Sequence, residues 1–582
     1  MTSQILRAAR FVRLLPIFAL PLLAACAVAG GVQSAQTAAP VTVGIVAIND
    51  FHGSLEPPRQ SVSAPDGKGG TVRVPAGGSA YLASAIDAVR SKYPNHLTVS
   101  AGDLISASQL SSSIYLDEPS IGVANMFGLD FNAVGNHEFD RGRNELQRMQ
   151  RGGCAQLTPR KPCQVEQFGG ARFQFLAAST ITENGMPLFP AYAIRTFGTG
   201  RSKVRVGIIG LTLRGTPDLV SPAGIKGLTF TDEADTINAL VPVLKAQGAD
   251  AIVVLIHQGG QQANADDPSA CAGFTGEIRP ILDRLDPRVD VVVSGHTHKA
   301  YVCNYAELNP AHPLLLTSAG VYGEEVTDIT LEIDPAKHVV VNKRARNVIV
   351  QSSAYTGALG PVQTTELYPK FSPRADVARY VQTYVTASKE FAQRPAGRLG
   401  GAASGRPLGQ LIADSQLAAT RGAGAQVAFM NPFGVRAALV PAADGTVKFG
   451  DIYAIQPFGN TLVTQSMTGG ELKAVLEQGF DASGPVQALL PSAGFSYSYD
   501  MTQPVGSRVT GMTLDGKPVD PAASYRITTN NFLAQGGDSF TLFARQRDAV
   551  AGGVDLDALQ AWLQASELRA VPSAERAIKI GG

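Results

Sequence analysis

The chain has 582 residues, more than a single hydrophobic core usually serves, so at least two domains are expected. Its 49 basic and 48 acidic residues leave a net charge of +1, which excludes the broad basic footprint of a nucleic-acid polymer binder. An anionic ligand must therefore be met by a local cluster.

At the N-terminus, Arg7, Arg10 and Arg13 precede an apolar run over residues 14–23 that is too short to span a bilayer as a mature helix and reads as an export signal. The string Leu23-Ala24-Ala25-Cys26 resembles the bacterial lipobox, which implies cleavage before Cys26 and a lipid on that residue; the alternative is ordinary secretory cleavage near Ala25 or beyond. Residues 1–26 are thus expected to be a signal, and residues 27–40 a low-complexity tether. Cys154, Cys163, Cys271 and Cys303 remain, an even number that suits an oxidising compartment. Three pairings are open, and the sequential one closes the shortest loops.

Beyond the tether, an apolar strand over residues 43–48 runs into Asn49, Asp50, Phe51, His52 and Gly53. Residues 57–78, rich in Pro, Gly and Ser, read as a surface loop. Leu82, Ile86 and Val89 recur at helical spacing within 79–93. The next strand, from Leu97, ends in Gly102 and Asp103, and the strand from Phe131 ends in Gly135-Asn136-His137-Glu138 with Asp140 just beyond. Two more follow: residues 251–257 end on His257, and residues 291–298 run Val-Val-Val-Ser-Gly-His-Thr-His, placing His296 and His298 on alternate positions after Gly295. Helical stretches at 233–247 and 278–285 lie between them. Strands alternating with helices predict a layered α/β sheet whose strand ends gather along one edge, where such sheets place their sites.

Pooling those ends gives Asp50, His52, Asp103, Asn136, His257, His296 and His298, seven oxygen and nitrogen donors without a thiolate. Seven ligands exceed the need of one ion but suit two divalent ions sharing a carboxylate, and this donor chemistry favours Mn, Zn, Fe or Co. His96, His312 and His338 belong to no such strand end and read as surface or satisfied core residues.

These five segments resemble the calcineurin-like metallophosphoesterase signature, and the whole chain resembles the 5′-nucleotidase and UDP-sugar hydrolase family of exported enzymes. The resemblance implies a four-layer α/β/β/α sandwich over residues 41–350, a linker with a helix over 351–393, and a smaller α/β nucleotide-binding domain over 394–582. It further implies that Asp50, His52, Asp103 and His298 hold one metal, that Asp103, Asn136, His257 and His296 hold the other, and that Asp103 bridges. His137 is expected to stabilise charge on the phosphate and Asp140 to orient it. A cationic imidazole held by a carboxylate would also do this on physical grounds alone.

The linker helix is expected over residues 376–391, with Val377, Tyr380, Val381 and Val385 on one stripe, and the domain after it contains no histidine. Phe458 and Phe532 lie beside Gly-rich turns and read either as core or as a clamp for a flat ring. The resemblance implies the clamp, with Asp538 on the ribose hydroxyls and Asn431 and Arg436 near the phosphate or ribose. Pro432 and Phe433 replace two glycines of the family's string. The Arg that the family places upstream of Leu408-Gly409 is also missing, which leaves Arg406 or Arg398 as substitutes.

The expected protein is an exported, lipid-anchored dinuclear phosphohydrolase acting on nucleotides, foremost as a 5′-nucleotidase. UDP-sugars, 2′,3′-cyclic nucleotides and NAD are alternative substrates, and a catalytically silent nucleoside-binding lipoprotein is the rival from another class. No nucleic-acid polymer is expected as partner, and membrane contact only through Cys26. A serine hydrolase is excluded by the lack of a Gly-x-Ser-x-Gly elbow.

Overall fold

The computed structural model describes residues 39–158, 160–220, 224–357, 360–481 and 485–581. The signal, Cys26 and most of the tether lie outside the described residues, and among those described no helix is long and apolar enough to cross a membrane.

Two six-stranded sheets form the first half. One runs, in spatial order, Val339–Ile349, Glu325–Asp334, Val41–Ile48, His96–Ser100, Phe131–Ala133 and Gln174–Leu176; the other runs Ala300–Asn304, Leu315–Ala319, Val291–Ser294, Ala251–His257, Val204–Thr212 and Tyr192–Phe197. The strands that end in ligand-type residues are parallel neighbours within their sheets. Their C-terminal ends therefore all emerge at one rim.

The sheets face each other across an apolar layer in which Val43, Ile45 and Ala47 of one meet Ile208, Val253, Leu255 and Val293 of the other, all fully buried. Strands buried on both faces read as continuous apolar runs, which is why these segments show no polar alternation. The outer faces are covered by Ser79–Arg90 and Glu118–Met126 on one side and by Glu233–Ala246 on the other. Asp232 caps the last of these by accepting from the Asp235 amide at 3.0 Å. The result is the four-layer α/β/β/α sandwich.

Three local expectations need correction. The Pro/Gly/Ser-rich stretch is a hairpin, Gln60–Pro65 with Thr71–Ala76, whose Ala64, Val74 and Ala76 pack on Ile349. Its turn composition masked a short two-residue alternation. The helix predicted over 278–285 is only Arg279–Leu282, confined by Pro280 in its first turn and by the restriction that Pro287 places on Asp286. The helix from Ser79 stops at Arg90, ahead of Pro94.

The linker helix Ala375–Gln393 lays Val377 and Val381 into the core of the first half. Beyond it lie a five-stranded sheet around Val427–Met430, Ser524–Asn530 and Thr461–Thr468 and a four-stranded sheet around Phe495–Asp500, flanked by the helices Gly405–Thr420, Gly469–Gln478 and Asp555–Gln564. The halves touch: Leu110 of the first packs among Met430, Leu439 and Tyr453 of the second. Both disulfides follow sequential pairing, Cys154 with Cys163 and Cys271 with Cys303.

Candidate active site

At the common rim the strand-end side chains converge. Asp50, His52 and His298 form one group with ligand atoms within 4.8 Å of one another, and Asp103, His257 and His296 form a second. The two abut at Asp103: its Oδ2 lies 3.7 Å from His52 Nε2 and 3.0 Å from His257 Nε2. His52 Nε2 is 3.2 Å from His298 Nε2, and Asn136 Oδ1 is 3.1 Å from His257 Nε2. All seven predicted ligands are thus brought together.

The backbone is bent to achieve this. Asp50, His52, Asp103, His296 and His298 all adopt positive φ, between 46° and 70°, a left-handed conformation that non-glycine residues avoid unless their surroundings impose it. The turns also need room. A Cβ on Gly295 would lie 2.9 Å from Asp50 Oδ2, and one on Gly135 would lie 2.2 Å from Asp103 Oδ1.

The donor set fits divalent cations. His52 Nδ1 donates to the Ser106 carbonyl and His257 Nδ1 to the Ala101 carbonyl, each at 2.9 Å, so both rings present Nε2 to the carboxylates. Burial pushes His52 and His296 down to about 3 and holds His298 well below the usual histidine range, which keeps three imidazoles neutral with free lone pairs. His257 goes the other way: burial opposes its charge, but Asp103 lifts it to about 10. Burial likewise works against the Asp103 anion, yet His257 and His137 hold it well below the usual carboxylate range. Asp103 demands positive charge beside it, which is what a bridging carboxylate between two cations receives.

Two neighbours of the ligands support them from outside the predicted set. Asn49 donates to Asp50 Oδ2 at 2.7 Å, and Glu138 accepts from the amides of Asp103 at 2.9 Å, Leu104 at 2.8 Å and Gly135 at 2.6 Å. Only the rarity of the Gly-Asn-His-Glu string pointed toward Glu138.

His137 Nδ1 meets Asp140 Oδ2 at 2.8 Å. Burial opposes its protonation, but Asp140 and Asp103 prevail and raise its pKa. On its other side, the ring of Phe458 from the second half stacks on His137 with centroids 5.9 Å apart and planes 18° apart. The Arg436 guanidinium lies 5.9 Å from the centre of the Phe458 ring. Asn431 Nδ2 donates to Asp538 Oδ2 at 2.7 Å, and Phe532 packs directly against Gly537 beside that carboxylate. The Arg406 guanidinium donates to the Ala577 carbonyl and to Tyr499 Oη, both at 2.7 Å, and lines one cavity with Pro432, Val435 and Arg436; Arg398 bonds the Asp444 carbonyl.

The calcineurin-like phosphoesterase model matches residues 44–300, and the model of the 5′-nucleotidase C-terminal domain matches residues 384–545. The chain belongs to the 5′-nucleotidase family of calcineurin-like phosphoesterases. The chain is similar to the Bacillus subtilis protein named endonuclease YhcR, 31% identical over 542 residues, with 91% of this chain and 40% of that protein covered. The chain therefore spans less than half of that relative. The NAD 5′-nucleotidase of Haemophilus influenzae is 25% identical over 586 residues, covering 90% of this chain and 89% of that one. Among solved structures, the 5′-nucleotidase precursor of Thermus thermophilus superposes with a TM-score of 0.72 at 25% identity, covering 93% of this chain and 99% of that one.

Proposed function

We propose that the chain is a dinuclear metal-dependent phosphohydrolase that releases phosphate from nucleotides, foremost as a 5′-nucleotidase, outside the cytoplasm. The observation that carries this reading is the meeting of two N/O ligand groups at Asp103 within one cleft that also holds Phe458 stacked on His137. Asp50, His52 and His298 would hold one cation, and Asn136, His257 and His296 the other, with Asp103 common to both. Bound there, two divalent ions would supply charge to the phosphate oxygens and acidify water.

The chain's own residues do the rest. His137, kept cationic by Asp140, presents its remaining nitrogen to the phosphate and offsets charge as it accumulates. Phe458 and Phe532 grip the base, Asp538 and Asn431 hold the ribose, and Arg436 stands between clamp and metals. Water adds across the P–O5′ bond, leaving phosphate and a nucleoside that takes the proton. With ligands on one half and clamp on the other, closure of the halves positions the phosphate and reopening releases product.

Export is supported by the N-terminal signal pattern and by two disulfides, which persist in oxidising compartments. Lipid on Cys26 remains part of the proposal. The test is phosphate release from AMP, UDP-glucose, 2′,3′-cyclic AMP and NAD with Mn, Zn or Co added, repeated with Asp103→Ala. Turnover that requires metal and disappears in the variant is expected. Inactivity across the whole panel, or a variant as active as the parent, would overturn the reading.

A further inference from the structure

Between the two strand ends that supply Asp50 and Asp103 lies a buried polar network that the reaction scheme above does not use. Asp117 is fully buried, with φ of 62°, and its carboxylate accepts from the Ser106 amide at 3.1 Å, from Ser112 Oγ at 2.7 Å and from Arg141 Nη1. Arg141 also reaches Ser106 Oγ at 3.2 Å through Nη1 and Ser113 Oγ at 2.9 Å through Nη2. The pair therefore grips Ser106 through both its amide and its hydroxyl.

Ser106 has φ of 65° and Ala107 has φ of 48°, two consecutive non-glycine residues in the left-handed region. Such a turn persists only where its surroundings impose it. What the turn delivers is the Ser106 carbonyl, which receives the His52 Nδ1 proton and so commits Nε2 to the ligand group. The chain of contacts is direct: ion pair, turn, carbonyl, imidazole. It also crosses between the halves, because Tyr453 Oη meets Ser113 Oγ and lies 3.1 Å from the carbonyl of Pro457, the residue before Phe458.

We propose that Asp117 and Arg141 are positioning residues for His52, setting the affinity of the Asp50–His52–His298 group for its cation while leaving the Asp103–His257–His296 group largely untouched. The proposal rests on the dinuclear reading given above. A role confined to folding would affect both groups alike, whereas a positioning role spares the second, since the hydrogen bonds of Asp117 and Arg141 lead to Ser106, Ser112 and Ser113 rather than to His257, His296 or the Ala101 carbonyl that orients His257.

Calorimetric titration of the metal-stripped full chain with Mn²⁺ tests it. The parent is expected to bind two ions, and His298→Ala and His296→Ala identify which event belongs to which group. In Arg141→Met, the event lost in His298→Ala is expected to weaken by at least about tenfold, the usual effect of removing an outer support of a metal ligand, while the other stays within about twofold. Arg141→Lys, which keeps the charge but loses the planar fork, should weaken the same event by a smaller factor and carries the test if Arg141→Met does not fold. Equal weakening of both events, unchanged binding in a folded methionine variant, or, where that variant does not fold, unchanged binding in the lysine variant would overturn the proposal. A parent that binds no Mn²⁺ at all would instead remove the dinuclear reading beneath it.

Discussion

Replacing Gly135 by alanine perturbs the centre by a single methyl group, and its effect can be worked from geometry. The added Cβ would sit 2.2 Å from Asp103 Oδ1 and 2.5 Å from the Asp103 amide nitrogen, where ordinary contact begins at 3.4 Å. The carboxylate must therefore retreat by about 1 Å, and the rigid backbone amide beside it leaves no easier route of relief. Overpacking of this kind typically costs about 1–3 kcal/mol of stability, which a folded chain of this size can absorb. The functional penalty is larger, because a displacement of about 1 Å at a reacting centre is enough to lower turnover roughly a hundredfold. Steady-state phosphate release from AMP, together with metal content and the unfolding temperature, separates the two effects. A variant that folds, binds less metal and loses about two orders of magnitude in kcat/KM is expected. Full metal content and activity within about threefold of the parent would show that the position of Asp103 does not govern the site.

Phe458→Ala removes the ring that stacks on His137; with stacking of a base on an aromatic ring worth about 1–3 kcal/mol, KM for AMP should rise at least about fivefold with a smaller change in kcat, and an unchanged KM would place the base elsewhere. Glu324 is buried, its Oε1 has no hydrogen-bond partner, and burial pushes its carboxyl up to about 8 from an ordinary value of 4.5. Its folded pKa lies above its unfolded one, so its contribution to stability is complete below about pH 4.5 and is lost as pH rises toward about 8. Glu324→Gln should thus gain stability over the parent progressively between about pH 4.5 and 8 in urea unfolding, and a pH-independent difference would contradict this. Removing the Cys271–Cys303 bridge, which spans 32 residues, should cost roughly 3–4 kcal/mol, about 1 kcal/mol more than removing the bridge across the 9-residue separation of Cys154 and Cys163, as read from thermal unfolding. Equal losses would mean that loop entropy is not the controlling effect.

The layered fold was legible because its strands are buried on both faces and so appear as apolar runs, each ending where glycine meets Asp, Asn or His. Parallel pairing of those strands does the remaining work, bringing residues as distant as Asp50 and His298 to one rim. Other features leave no local trace. Nothing in the string Asp50-Phe51-His52 announces positive φ at both ends, since that conformation is imposed by neighbours across the sheet. Asp117 and Arg141 are 24 positions apart and belong to no motif, and only the tertiary structure makes them a pair. The hairpin Gln60–Pro65 with Thr71–Ala76 was hidden because turn-type residues outweigh the few apolar positions that its packing uses. Arg406 donates to Ala577 and Tyr499 and lines one cavity with Arg436, a placement that no local string announces.

Crystals of the full chain grown with Mn²⁺ and measured at the manganese edge would locate the cations directly. The account predicts two anomalous peaks per chain, one among Asp50, His52 and His298 and one among Asn136, His257 and His296, with Asp103 between them. A single peak, or peaks away from Asp103, would contradict it.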